Sequence, residues 1–360
     1  MLKTKIQFAN VKFVDDLPSV DHVGRRLLSF LRDIRFEAQQ EKVHANLLRE
    51  EDAEPRINIL SSEDKLRVIN RANAYVDRVK ATTGMAHLDR TQQGLIEPLR
   101  GNITISRIPN EHDADVIAAA LHEEMPWLAP ATEQVWHGLR QSVRAGLPGY
   151  RFPPLLMVGE PGIGKSHFAR YLATLLDVPS TIIEATGEPA SFSLVGSQHG
   201  WGSAAPGKLM QVILRDKSAS PIVIVDEVEK AGNVQSNAGT RYALTEALLP
   251  LLEPLTAKSW GCPYFRIECD MSWVGWIMTA NSLRGMPEPL LSRCPPLFLP
   301  PLSHGHLLGF VRRQSKKKGL TEPMTLAVEE IAASSPNASL RTIVRLIDQA
   351  EIALNRPVLH

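Results

Sequence analysis

The sequence predicts an α/β protein, a parallel sheet with helices on both faces, joined to a mostly helical N-terminal segment and a small C-terminal helical domain. Three observations carry that prediction. Short apolar runs bounded by Gly and Pro recur at 155–158, 181–184, 222–225, 274–279 and 297–299, with helical periodicity between them, as expected of strands covered on both sides. A glycine-rich stretch, 159–166, follows the first run and opens a helix-like segment, HFARYLATLL. The chain has 360 residues, 44% of them hydrophobic and 22% charged, which suits two or three ordinary folded domains.

The N-terminal segment, 1–114, differs in texture from the rest. It holds a stretch with β character at 6–14, then helical periodicity in VGRRLLSFLRDIRFEAQQEKVHANLL and SSEDKLRVINRANAYVDRVK, where Ser61 or Ser62 can cap and Gly84 can stop the helix. An irregular stretch comes next at 99–109. No catalytic constellation is visible here, so the segment reads as an accessory domain. From about residue 113, DADVIAAALHEEMPWLA and ATEQVWHGLRQSVRAG read as helices leading into the α/β region, taken as 115–300. The last part, 301–360, reads as three helices punctuated by Gly319 and Pro336.

Composition narrows the function classes. Forty Lys plus Arg against 39 Asp plus Glu leaves a net charge of +1, so no global field draws the molecule to nucleic acid or an anionic membrane. The longest apolar runs fall far short of the ~18–20 residues of a membrane span, and the first residues lack the apolar core of a signal peptide. An intracellular, cytoplasmic protein is expected. Cys262, Cys269 and Cys294 are too few and too irregular for a disulfide framework or zinc site. His304 and His306 lie two apart, but without neighbouring carboxylates or thiols they are not expected to bind metal. Lys316, Lys317 and Lys318 form the one basic run, read as a solvated helix end complementing the dipole.

The chemistry concentrates in Gly159-Glu160-Pro161-Gly162-Ile163-Gly164-Lys165-Ser166, a match to GxxxxGK[ST]. Glycines let the backbone wrap phosphate, the helix N-terminus attracts the anion, Lys165 reaches the β and γ phosphates, and Ser166 can ligate Mg²⁺. Sixty residues on, the apolar run 222–225 ends in Asp226 and Glu227. Asp226 can hold Mg²⁺ while Glu227 polarises the attacking water, which argues for nucleotide hydrolysis rather than binding alone.

These motifs in this order resemble the AAA+ ATPases, and within them the ATPase module of Lon-type proteases, over about residues 115–355. The resemblance implies a P-loop AAA+ sheet with a helical lid. It also implies that Asn281, at the end of WIMTAN, shares the attacking water with Glu227. In PEPLLSRC it casts Arg293 as a finger acting on a neighbouring subunit's nucleotide, and in ASLRTIVRLID it casts Arg341 as the lid's sensor arginine. GSQHGWGSAAPGKLMQVI is similar to the Lon pore-loop segment, aligning Trp201 with a substrate-gripping aromatic; Gly200, Gly202 and Ser203 describe a solvated loop rather than a packed element. DEVEK and EALLPLLEP also look Lon-like.

The resemblance further implies self-association into a hexameric ring that uses ATP and Mg²⁺ to remodel a polypeptide client. A Lon-type Ser-Lys peptidase domain would come after the lid, and the sequence stops at His360, so peptidase activity in this chain is not expected; a separate peptidase or effector partner stays open. Two other readings remain: an AAA+ motor on nucleic acid, against which the charge balance and the lack of a basic, aromatic-rich face weigh, and a nucleotide-switched scaffold, against which the Asp226, Glu227 and Asn281 set weighs.

Overall fold

In the computed structural model the described residues are 1–45, 55, 59–101, 103–186, 190–198, 204–231, 233–235, 241–334 and 339–354. They divide into two compact units, Asn10–Gly94 and a larger one of Met1–Ala9 with Leu95–His360. Residues 95–114, grouped with the N-terminal segment in the sequence reading, here belong to the larger unit.

The larger unit begins with β1 (Leu2–Ile6). The smaller unit contains α1 (Val20–His44) and α2 (Ser62–Ala81). Ser61 caps α2: its hydroxyl accepts from the Asp64 amide at 3.1 Å while the Asp64 carboxylate accepts from the Ser61 amide at 3.3 Å. That reciprocal box is worth about 1 kcal/mol. The helices run antiparallel, since a Cβ on Gly24 would lie 4.0 Å from Ala72 and Arg35 pairs with Asp64 at 3.1 Å.

A short helix, α3 (Arg90–Ile96), leads to β2 (Ile103–Arg107), which pairs antiparallel with β1. Both strands depart from the sequence reading: the first lies at 2–6 rather than 6–14, and the stretch expected to be irregular contains β2. Helices α4 (Glu111–Glu124) and α5 (Ala129–Arg144) then bring the chain to β3 (Leu155–Val158), α6 (Lys165–Leu175), β4 (Ser180–Glu184), α7 (Ala190–Val195), α8 (Lys208–Asp216) and β5 (Ile222–Asp226). A ribbon of β6 (Asn233–Gln235) and β7 (Arg241–Ala243) precedes α9 (Leu244–Leu252) and α10 (Pro254–Ala257); a second, β8 (Trp260–Gly261) with β9 (Glu268–Cys269), precedes β10 (Gly275–Ala280). After α11 (Glu288–Arg293) and β11 (Pro296–Phe298) come α12 (His304–Lys317), α13 (Glu322–Ser334) and α14 (Leu340–Leu354), the segment that the resemblance reads as a lid, hereafter the lid.

All five expected strands form one parallel sheet in the order β11-β3-β10-β5-β4. Each parallel crossover needs a covering element, and the strands are accordingly apolar on both faces. Leu155, Met157, Ile222, Ile224 and Ile277 share one core with α4–α6 and the lid, whereas the alternating Leu156, Val223, Val225, Trp276 and Met278 are buried on the other face. Burial stabilises each such side chain by about 1.5–3 kcal/mol. The order places β3, β10 and β5 side by side, so their C-terminal ends open onto one crevice. No helix among the described residues is long and apolar enough to cross a membrane.

The lysine run does not simply face water. Lys317 pairs with Glu124 at 2.6 Å, and Lys318 with Asp348 at 2.6 Å and Glu351 at 2.5 Å. These pairs join the end of α12 to α4 and to α14, so Lys317 and Lys318 do more than face water, while Lys316 and Lys317 lie in the last turn as the dipole reading expects.

Candidate active site

The loop after β3 is shaped by its glycines. Gly162 and Gly164 sit at φ +80° and +95°, where a side chain is strained, and a Cβ at Gly162 would come within 2.9 Å of Ser339. Two bonds from elsewhere hold the loop: the buried Trp127 indole donates to the Ile163 carbonyl at 2.8 Å, and the Leu340 amide donates to the Gly162 carbonyl at 3.3 Å. The first anchors the loop to the turn after α4, the second to the start of the last lid helix.

Lys165 opens α6 and is buried, its ammonium donating to the carbonyls of Gly159 and Glu160 at 2.7 and 2.9 Å and to the Asn281 side-chain oxygen at 3.1 Å. Burial pushes it below the ordinary lysine value, against the pull of Glu229, Asp226 and Glu227. Ser166, next along, donates to both oxygens of Asp226 at 3.0 and 3.1 Å. Asp226 at the end of β5 also accepts from the Thr279 hydroxyl of β10, the same hydroxyl that accepts from the Glu227 amide at 3.2 Å. Glu227 has a left-handed backbone, φ +55°, and its carboxylate pairs with Lys230 at 2.9 Å.

Asn281, just past β10, is set by its own amide, which donates to Glu229 at 3.0 Å. The second Glu229 oxygen is buried without a partner among the described residues. A cavity of about 740 Å³ is lined by Gly162, Lys165, Ser166, Asp226, Glu227 and Asn281, with Arg341 and Arg345 contributed by the lid. Gly164 and Pro161 line it too, whereas Gly159, Glu160 and Ile163 do not; Ile163 packs in the core beside the loop. Its size is ample for a nucleotide. Hard oxygen donors, the Ser166 hydroxyl and Asp226 carboxylate, converge as a magnesium ion requires.

Arg293 stands apart. At the end of α11 it donates to the Pro289 carbonyl at 3.0 Å and lies 3.7 Å from the Glu253 carboxylate, and it does not line the cavity. Trp201 lies outside the described residues. Sequence reasoning missed Trp127, Glu124, Thr279, Glu229 and Arg345. Thr279 and Glu229 sit inside motifs already singled out, WIMTAN and DEVEK, so the signal was available; Arg345 comes one helical turn after Arg341.

Residues 155–302 match the family described as "ATPase family associated with various cellular activities (AAA)". The peroxisomal Lon protease homolog 2 of Arabidopsis thaliana is 26% identical over 254 residues, 69% of this chain and 27% of its own length. The Lon protease of Koribacter versatilis (strain Ellin345) is 30% identical over 194 residues, 52% of this chain and 23% of its own. The chain thus spans about a quarter of these relatives. Among solved structures, the extended conformation of the S. cerevisiae Hsp104:casein complex superposes with a TM-score of 0.52 at 17% identity, covering 95% of this chain and 66% of that one, a likeness of fold.

Proposed function

Because the chain carries an AAA+ ATPase domain related to the ATPase module of the Lon proteases, we propose that it assembles into a ring and couples ATP hydrolysis to the remodelling of a polypeptide. The observation that carries this reading is a division in the site. Lys165, Ser166, Asp226, Glu227 and Asn281 converge on one cavity with Arg341, while Arg293 is turned elsewhere. A site with every part but its finger is completed by a neighbour's Arg293.

In this reading the loop amides and Lys165 bind the β and γ phosphates, and Lys165 exchanges its carbonyl partners for phosphate oxygens. Ser166 and Asp226 would hold Mg²⁺, whose bound charge would offset that of the transferring phosphoryl group. Glu227 leaves Lys230 to take a proton from the attacking water, and Asn281, fixed through Glu229, orients that water. Arg341 reads the nucleotide from the lid. The polypeptide client is supported by the Lon relatives, by the casein bound in the Hsp104 complex of like fold, and by the sequence around Trp201.

The test is a Glu227→Gln chain loaded with ATP and used as bait. It is expected to retain ATP uncleaved and to hold polypeptide, whereas Lys165→Ala loses ATP binding. Recovery of nucleic acid in place of polypeptide overturns the client assignment, and equal loss of ATP binding in both variants overturns the roles of Lys165 and Glu227.

A further inference from the structure

A second cavity, of about 330 Å³, lies at the opposite end of the sheet, where the residues entering β3 and β10 meet α5, α9 and α10. Its walls are flat and apolar. Tyr150 and Phe152 stack at 5.9 Å with 13° between their planes, and the Trp273 ring carries the Arg151 guanidinium 4.0 Å from its centroid. Close approaches fix these walls: a Cβ on Gly138 would fall 2.6 Å from Phe152, and one on Gly275 would fall 3.1 Å from the Phe152 ring. The cavity is therefore a formed feature of the core's edge, with little freedom to collapse.

Two donors among its lining residues lack acceptors. Arg151 gives one nitrogen to the Ser272 hydroxyl at 2.7 Å, but its Nε is buried with no acceptor among the described residues. The indole N–H of Trp276, a residue 3% exposed, is likewise buried and unpartnered. The nearby carboxylate of Asp270 is already occupied by the Ser272 amide at 3.0 Å, by the Ser272 hydroxyl and by the Trp273 indole at 3.2 Å. It forms no ion pair with Arg151, whose charge burial disfavours and Asp270 supports from a distance. Two buried donors, one of them cationic, beside stacked aromatic rings call for an acceptor with negative charge on a flat apolar body.

We propose that this cavity binds a carboxylate carried on an aromatic group, the carboxylate accepting from Arg151 and Trp276 and the ring lying among Tyr150, Phe152 and Trp273. Such a group occurs on a free arylalkanoic acid and on the C-terminal aromatic residue of a polypeptide. The volume is at the lower end for small-ligand sites and suits either. The site is separate from the nucleotide crevice, with which it shares no lining residue.

Calorimetric titration of the full chain with 3-phenylpropionate, with a short peptide ending in phenylalanine, and with the amide of each tests it. Saturable binding of the acids is expected, with the amides about tenfold weaker or more, since the charge-assisted bond is lost. A peptide acid tighter than the free acid identifies a polypeptide C-terminus as the source; the reverse identifies a small acid. Arg151→Gln is expected to weaken the acids about tenfold or more, while Lys165→Ala leaves them unchanged. Trp276→Phe, which keeps an aromatic ring and deletes only the donor, is expected to weaken them several-fold and carries the test if Arg151→Gln does not fold. No saturable binding of either acid to millimolar concentration, equal binding of acids and amides, or unchanged affinity in the folded variants overturns the proposal.

Discussion

Replacing Glu124 by Gln isolates how the lid is fastened to the sheet domain. Glu124 ends α4 with its side chain 10% exposed, and its carboxylate accepts from Lys317 at 2.6 Å and Gln314 at 3.1 Å on α12. His167 lies 3.7 Å away, and the Glu124 carbonyl accepts from Arg313 at 3.1 Å. Gln preserves shape and the Gln314 acceptor but removes the charge. A hydrogen bond to a charged partner contributes about 1.5–3 kcal/mol when sheltered, while an exposed ion pair contributes about 0–1. Lys317 is 57% exposed against a sheltered Glu124, so the expected loss lies between, at about 1–2 kcal/mol. A double-mutant cycle with Lys317→Met, read from urea midpoints at constant slope, should return a coupling near ~1 kcal/mol. A coupling below ~0.3 kcal/mol would refute the clasp.

The same group sets a pH dependence. Burial alone raises the Glu124 carboxyl, but Lys317, with His167 and Arg313, holds it below its ordinary value of 4.5. A depressed folded-state pKa means the stabilisation is complete above about that value and is lost as pH falls through the lower one. Wild type should therefore lose stability in acid more steeply than Glu124→Gln, a difference visible in unfolding midpoints measured from pH 6 down to pH 3.

Further expectations concern the nucleotide site. Trp127→Phe removes the donor to the Ile163 carbonyl and should cost about 1–3 kcal/mol of stability, measured by urea unfolding, with weaker ATP binding. Gly162→Ala, at φ +80° and against Ser339, should strain the loop by about 1–3 kcal/mol and lower ATP affinity in equilibrium titration; unchanged affinity would contradict the loop geometry. Mixing Arg293→Ala with Lys165→Ala subunits should recover ATPase activity that neither has alone, because fingers in trans contribute ~10³–10⁵ in rate. No recovery in rings shown to be mixed, or full activity from a dilute monomer, would count against a trans role.

The sheet is legible in the sequence because its strands are local apolar runs: ILVM-rich segments buried on both faces announce themselves without reference to partners. The phosphate loop is legible for a related reason, since backbone wrapping of an anion demands glycine at fixed spacing. The features that sequence does not reveal depend on distant partners. β1 reads LKTKI and alternates polar residues, and only its pairing with β2, about a hundred residues on, makes it a strand. Lys317 and Lys318 look like solvent-facing charge until folding brings Glu124, Asp348 and Glu351 to them. Trp127 resembles any core tryptophan, and its role comes from a single bond across 36 residues. Motif order singles out Arg293 as the proposed finger, yet only the fold shows that it lies beside Glu253 and outside its own cavity.

The bond between the Leu340 amide and the Gly162 carbonyl, with Ser339 against the Gly162 backbone, gives α14 a fulcrum. The helix has 15 residues and so extends about 22 Å from that point at ~1.5 Å per residue. A tilt of ~10° about the loop would sweep its far end through about 4 Å, by the length of that lever. A small adjustment of the loop would thus be geared up along α14 into a displacement the width of a side chain.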